Sequence, residues 1–125
     1  MMELFEMLPV DFEHMDERGK LVQLAHQGFV QINVIKTVAG VRRGEHYHKS
    51  AKEAFYIISG STEVELKSIK TEVSCKKKFK DGDFFLIPPL VIHSFFFPAN
   101  CVMLDMYDRH IIDDQGNKDI YCSEE

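Results

Sequence analysis

Along most of this chain apolar and polar residues alternate over short runs, and glycine, proline or charged residues separate one run from the next. A period of two marks a strand with one buried face, and regular turn signals between short runs point to an all-β barrel or sandwich. Residues 61–66 are the clearest case, with Val64 and Leu66 on one face and Glu63 and Glu65 on the other. The same pattern predicts strands over 21–26, 29–38, 44–48, 53–58, 84–87, 91–97 and 101–107, with 70–80 as the hairpin partner of 61–66. Turns are expected at Ala39-Gly40, Ser59-Gly60 and Asp81-Gly82-Asp83, and a polar loop over 49–52. Helical spacing occurs only near Leu4 to Leu8. The segment 113–125 reads as a polar tail that packs loosely.

Composition narrows the class. The chain has 125 residues, 45% of them hydrophobic, with ten phenylalanines, which suits one folded domain over 1–125 and argues against disorder. No linker, repeat or low-complexity tract marks a boundary. The net charge of −5 gives no basic face for nucleic acid. Lys76, Lys77, Lys78 and Lys80 fit a solvated hairpin or edge strand, where they discourage edge pairing. Cys75, Cys101 and Cys122 are an odd count without metal or disulfide spacing, so a reducing, cytoplasmic setting is expected, with Cys101 in the core. The acidic N-terminus has no apolar stretch long enough for a leader or a membrane span. The long Val- and Ile-rich strand over 29–38 would need its edge covered, which predicts a homodimer.

Candidate chemistry lies between residues 40 and 97. Gly40 is followed after five residues by His46, then by His48, by Glu53 after four more and by Gly60 after six. Gly82, Pro88 and His93 follow. In a strand His46 and His48 share one face and Tyr47 takes the other. Two imidazoles with a nearby carboxylate are a common ligand set for a divalent transition metal such as zinc, iron, manganese or nickel. His93 follows two prolines in an apolar run and is placed on a strand as well. Strand geometry groups only His46 and His48; that Glu53 and His93 join them around one cavity, as a metal site or a proton-transfer site, is what the resemblance of this spacing to a known family implies. The alternative is a polar cluster satisfied by hydrogen bonds and water.

This spacing resembles the two sequence motifs of the cupin superfamily, the first complete and the second with Leu90 and Phe97 where glycine and asparagine are usual. The resemblance implies a double-stranded β-helix, the jelly-roll barrel. A narrower resemblance covers more of the chain. Asp16-Glu17-Arg18-Gly19 looks like the DxRG segment of dTDP-sugar epimerases and 3,4-ketoisomerases. Gly40-Val41-Arg42-Arg43-Gly44 with His46, His48 and Lys49 is similar to the GVRRGxHxHK stretch of the dTDP-4-keto-6-deoxyglucose 3,4-ketoisomerases. Ile87-Pro88-Pro89 with His93, then Cys101-Val102 and Leu104, follow in the same order.

That resemblance implies an isomerase or epimerase of polysaccharide biosynthesis acting on a nucleotide-linked keto-sugar. His46 or His48 would be the base that moves a proton beside the ketone. Arg18, Arg42 and Arg43 become candidates for the diphosphate, since guanidinium forks suit phosphate oxygens. Two departures keep other readings open. The strand before GVRRG reads Ile32-Asn33-Val34-Ile35, where the ketoisomerases carry tyrosines, and Glu53 stands where they tend to have glutamine and work without metal. A metal-dependent cupin of another reaction class, such as a dioxygenase or sugar-phosphate isomerase, is one alternative. A non-catalytic cupin binding a sugar or effector is the other. The HYH and IPP segments also resemble the zinc-binding cupin domain of some capsule-synthesis sugar reductases.

Overall fold

The computed structural model describes residues 3–122. They form twelve strands, numbered here in chain order, and no helix occurs among the described residues. One sheet runs in the order β1 (Glu6–Met7), β9 (Phe84–Ile87), β6 (Glu53–Ser59), β11 (Cys101–Tyr107) and β4 (Gln31–Thr37). The second runs β12 (Tyr121–Cys122), β5 (Arg42–Tyr47), β10 (Val91–Phe96), β7 (Ser61–Ser68) and β8 (Ser74–Lys80). A separate hairpin joins β2 (Phe12–Asp16) to β3 (Gly19–Gln23). Every pairing is antiparallel, and the chain crosses repeatedly between the two sheets, which gives the expected all-β jelly roll.

The core lies between the sheets because alternation puts apolar side chains there from both. On β7 the residues Thr62, Val64, Leu66 and Ser68 are buried, while Glu63, Glu65 and Lys67 take the other face. Phe55, Ile57, Phe79, Phe85, Phe95 and Met103 meet in the middle. Phe79 stacks flat on Phe85 with ring centroids 3.6 Å apart. Each such ring contributes about 1.5–3 kcal/mol by leaving water. Strand β6 reads as an unbroken apolar run because both its faces are covered: Phe55 and Ile57 look into the core, while Ala54 and Tyr56 meet Leu8, Val10, Leu24 and Phe29 outside.

Two turn positions show what their residues are for. Gly60, between β6 and β7, has φ +95°, and a Cβ there would fall on the carbonyl oxygen of Asn100. Leu90, which takes the place of a usual glycine, sits at φ +68°. That left-handed conformation is disfavoured for a leucine. It is held by the Leu90 N–H donating to the His48 carbonyl at 2.7 Å and the Leu90 carbonyl accepting from Ile69 at 3.1 Å.

Several expectations need correction. The helical turn near Leu4 to Leu8 is instead the short strand β1 on the edge of β9. The strand expected over 21–26 begins earlier, at Gly19, and its partner β2 lies in the acidic segment that carried no strand signal. Strand β8 starts at Ser74 rather than at residue 70. The tail is not loose as far as Cys122: Ile112 bridges to Lys118, and β12 adds to the edge of β5. Residues 123–125 of that expectation lie outside the described residues. Among the described residues no helix is long and apolar enough to cross a membrane.

Candidate metal or proton-transfer centre

The site is built where β5, β6 and β10 end together. His46 on β5 stands opposite His93 on β10. Glu53 opens β6, and His48 follows β5 by one residue. The pairing of β5 with β10 is broken by a bulge, in which Ser94 opposes Gly44 and His93 opposes His46, so that Glu45 is the extra residue. Gly44 has φ +102° and Glu45 φ +64°. A Cβ on Gly44 would stand 2.7 Å from the His93 carbonyl oxygen, so only glycine fits. The bulge has a chemical consequence. Residues 43 and 46 would face opposite ways on a regular strand. With one extra residue between them, Arg43 and His46 both reach the same cavity.

The four nominated side chains converge. Their ligand atoms all lie within 4.8 Å of one another. The imidazole of His46 stands 4.7 Å from that of His93 and 5.3 Å from that of His48, centroid to centroid. His48, Glu53 and His93 are nearly inaccessible to solvent, and His46 is half-buried at the cavity wall. Hydrogen bonding fixes two tautomers. A carbonyl oxygen only accepts, so His48 Nδ1–H donates to Asp119 O at 2.6 Å and His93 Nδ1–H donates to Val91 O at 3.1 Å. Both Nε2 atoms then turn toward Glu53 Oε1, at 3.0 Å from His48 and 3.3 Å from His93. The His93 approach lacks hydrogen-bond geometry, so its Nε2 is buried without a hydrogen-bond partner.

That arrangement fits a cation. Two imidazole lone pairs aimed at one carboxylate oxygen repel it unless a proton or a metal ion lies between. Neighbouring ligand atoms about 2.1 Å from a shared ion stand about 3.0–3.4 Å from one another. Three imidazoles and one carboxylate are a donor set that first-row divalent metals accept. Residues His46, His48, Glu53 and His93 therefore have the chemistry and the spacing to hold such an ion.

The electrostatics divide the site. Burial alone would raise the Glu53 carboxyl, but His48 and His93, with Asp105 behind them, hold it well below the carboxylate range. Burial lowers His48, and Glu53 with Asp119 outweighs that and raises it. His46 is pushed down to about 4 by burial and by its two imidazole neighbours, so it is neutral at pH 7. Asp105 on β11 is pushed up to about 7 by burial and by the nearby Glu53. Its Oδ1 is buried without a hydrogen bond. The Tyr107 phenol is raised by burial and then by the Glu53 and Asp105 charges.

A cavity of about 200 Å³ opens beside this cluster, lined by the polar Arg43, His46, Glu53, Asp105 and Tyr107 and by the apolar Ile35, Phe55, Phe95 and Met103. Of the three arginines singled out from the sequence, Arg43 reaches this lining and donates from Nε to Thr37 Oγ1 at 2.9 Å. Arg42 takes the other face of β5, with its guanidinium 5.3 Å from the Phe96 ring. Arg18 sits at the β2–β3 turn, where its Nη2 pairs with Asp16 Oδ2 at 2.6 Å. Sequence reasoning missed Asp105, Tyr107 and Asp119. A single acid inside the apolar run CVMLDMY was a signal for Asp105, because a buried carboxyl needs a reason. Nothing in the polar tail marked Asp119.

A family model described as the polysaccharide biosynthesis C-terminal domain matches residues 14–121. No curated protein matches by sequence. Solved structures with the same fold include QdtA from Thermoanaerobacterium thermosaccharolyticum, a sugar 3,4-ketoisomerase in complex with TDP. It is 21% identical, at a TM-score of 0.76 over 93% of this chain and 88% of that one. WlaRB of Campylobacter jejuni, a TDP-quinovose 3,4-ketoisomerase, gives 18% identity and a TM-score of 0.77 over 94% of each chain. CapF, the capsular polysaccharide assembling protein of Staphylococcus aureus, gives 18% and 0.67 over 92% of this chain and 32% of its own. The chain therefore shares the cupin fold with these proteins.

Proposed function

Because this chain belongs to the polysaccharide biosynthesis C-terminal domain family, we propose that its cavity takes a nucleotide-linked keto-sugar and moves a proton beside the ketone. One observation carries the reading: the bulge at Gly44 and Glu45 brings a guanidinium, Arg43, and a neutral imidazole, His46, into the lining of one cavity. A diphosphate needs the first and an acidic carbon–hydrogen bond needs the second. The TDP bound to QdtA supports a nucleotide as the ligand class. The apolar lining residues Ile35, Phe55, Phe95 and Met103 suit the less polar part of a deoxysugar.

His46, His48, Glu53 and His93 would hold a divalent transition metal, which as a Lewis acid polarises a carbonyl oxygen. The unpartnered Nε2 of His93 favours this loaded state. In it Glu53 would supply the negative charge, and the Asp119 and Val91 carbonyls would orient the rings. The proton beside the ketone would pass to Asp105, the other carboxyl that lines the cavity, because His46 is then occupied. A second reading rests on His46 alone: neutral and at the cavity wall, it is the base when no metal occupies the cluster. One imidazole cannot hold an ion and accept a proton at once, so the two readings give opposite responses to a chelator. Stripped protein loses turnover in the first and keeps it in the second. Calorimetry with a panel of TDP-, UDP- and GDP-sugars tests the proposal as a whole. Absence of binding to all of them at millimolar concentration overturns it, and a dioxygenase, a sugar-phosphate isomerase or a non-catalytic effector binder then takes its place.

We further propose a homodimer through the open edge of the first sheet. Strand β4 has a partner on one side only, and its Ile32 and Val34 are 60% and 63% exposed. Sedimentation that gives only a monomer across micromolar concentrations rejects this pairing.

A further inference from the structure

We propose that the C-terminal segment 111–122 is a strap belonging to the site, and that Asp119 within it is a positioning residue for His48. The four residues between His48 and Glu53 form a loop with no strand of its own. The Asp119 carboxylate takes three consecutive backbone N–H groups of that loop, from Lys49 at 2.7 Å, Ser50 at 3.0 Å and Ala51 at 2.8 Å. Its carbonyl takes the Nδ1–H of His48 at 2.6 Å. One residue thus sets both the loop that spaces His48 from Glu53 and the ring of His48 itself.

The strap is anchored at both ends. The Asp119 N–H donates to the Ile111 carbonyl at 2.9 Å, and Ile111 packs in a buried cluster with Ala51 and Tyr107. Beyond Asp119, β12 pairs Tyr121 with Tyr47 and Cys122 with His46. The Tyr121 ring stacks on Tyr47, and the Lys49 ammonium lies 4.1 Å from its centroid. These contacts bring no ligand atom to the cluster. They determine that the proton of a neutral His48 sits on Nδ1, which leaves the Nε2 lone pair facing Glu53. Without the strap the ring is free to rotate and to take either tautomer. Partners of this kind typically change metal affinity by about 10- to 100-fold.

The inference rests on the reading of the four side chains as one cluster, and not on the sugar. Its test is therefore binding of Co(II) or Zn(II) by the full chain, in competition with a chelating dye, together with the ring ¹⁵N shifts of His48. Asp119→Ala keeps the carbonyl that accepts from His48 but removes the three carboxylate bonds that hold the strap against the 49–51 loop. As the carbonyl drifts from Nδ1, metal binding is expected to weaken about 10- to 100-fold and His48 to pass from the Nδ1–H form toward a tautomer mixture. Asp119→Asn, which keeps one acceptor oxygen, is expected to fall between. Ile57→Val in the core serves as a control that lowers stability without touching the strap. A purely structural role predicts that Asp119→Asn behaves like this control: lower melting temperature, with unchanged metal affinity and unchanged His48 tautomer, and that result overturns the proposal. If wild-type protein takes up no metal, the metal reading of the cluster fails, and the His48 tautomer decides the role of Asp119 by itself.

Discussion

At one end of the barrel Phe79 lies flat against Phe85, and Phe95 and Phe97 stack behind them. At the other end His46, His48 and His93 surround Glu53. Two strands run through both. Strand β10 carries His93 and then, two residues on, Phe95; β6 carries Glu53 and then Phe55. Alternation delivers each of these to the interior without regard to chemistry. The apolar rows gain by leaving water, while the polar row is desolvated at a cost that only its mutual contacts offset. The barrel thus holds its own site in place, and the contacts within the site offset the cost of burying it.

The largest effect that bears on this contrast is expected at the apolar end. Phe79→Ala removes a fully buried ring and should cost about 3–5 kcal/mol in denaturant unfolding. Metal affinity of the molecules that remain folded should be unchanged. A variant that loses metal binding and stability together would mean that the two ends are one cooperative unit.

Glu53→Gln addresses the polar end. The substitution keeps the shape and removes the charge on which the His48 and His93 Nε2 atoms converge. Metal affinity should fall by more than the roughly 10- to 100-fold that an outer partner costs. The melting temperature of metal-free protein should move far less than for Phe79→Ala. Retained full metal uptake would remove Glu53 from the ligand set.

Two neighbouring acids then separate the pH dependence. Glu53 lies below its ordinary value of 4.5 in the fold, so its contribution is present above that pH and is lost as pH falls below it. Asp105 behaves in the opposite sense. Its carboxyl moves from 3.8 to about 7, so folding opposes its ionisation, and stability is lost as pH rises across that window. Asp105→Asn should therefore stabilise metal-free protein at pH 8 by about 1–3 kcal/mol and have little effect near pH 4. Equal unfolding curves at pH 8 would show that Asp105 is already relieved by solvent or by a partner.

The same contrast explains what the sequence made legible. Strands β9 and β11 were predicted at their observed ends because each is an apolar run bounded by turn residues. Strand periodicity put His46 and His48 on one face, and the resemblance to the cupin motifs, not periodicity, brought Glu53 and His93 to them from other strands. The hairpin strand β2 escaped notice because it is largely exposed, so no period of two is imposed on it. Asp119 escaped because it acts through backbone groups far away in sequence, and a carbonyl oxygen has no residue type. The direction of Arg42 against Arg43 escaped for a related reason. Adjacent residues always diverge on a strand, but which one faces inward depends on the bulge at Gly44 and Glu45.

That bulge gives the smallest predicted effect and the sharpest one. Arg42 and Arg43 are neighbours of equal charge, so composition and distant electrostatics treat them alike. Arg43 lies on the cavity wall with Thr37, whereas Arg42 lies over Phe96 on the outer face, with Glu65 at 3.9 Å. If the cavity takes the diphosphate, Arg43→Ala should weaken TDP binding about tenfold, the effect of losing one charged hydrogen bond. Added salt should reduce the difference, since a pair open to water is screened. Arg42→Ala should leave the affinity within about twofold, because exposed ion pairs of this kind contribute little. Calorimetry on the two variants at low and moderate salt decides the matter. Equal losses would mean that the ligand is held by the general field of the strand rather than by a side chain turned inward. A loss confined to Arg42→Ala would move the nucleotide to the outer face and take the cavity out of its recognition.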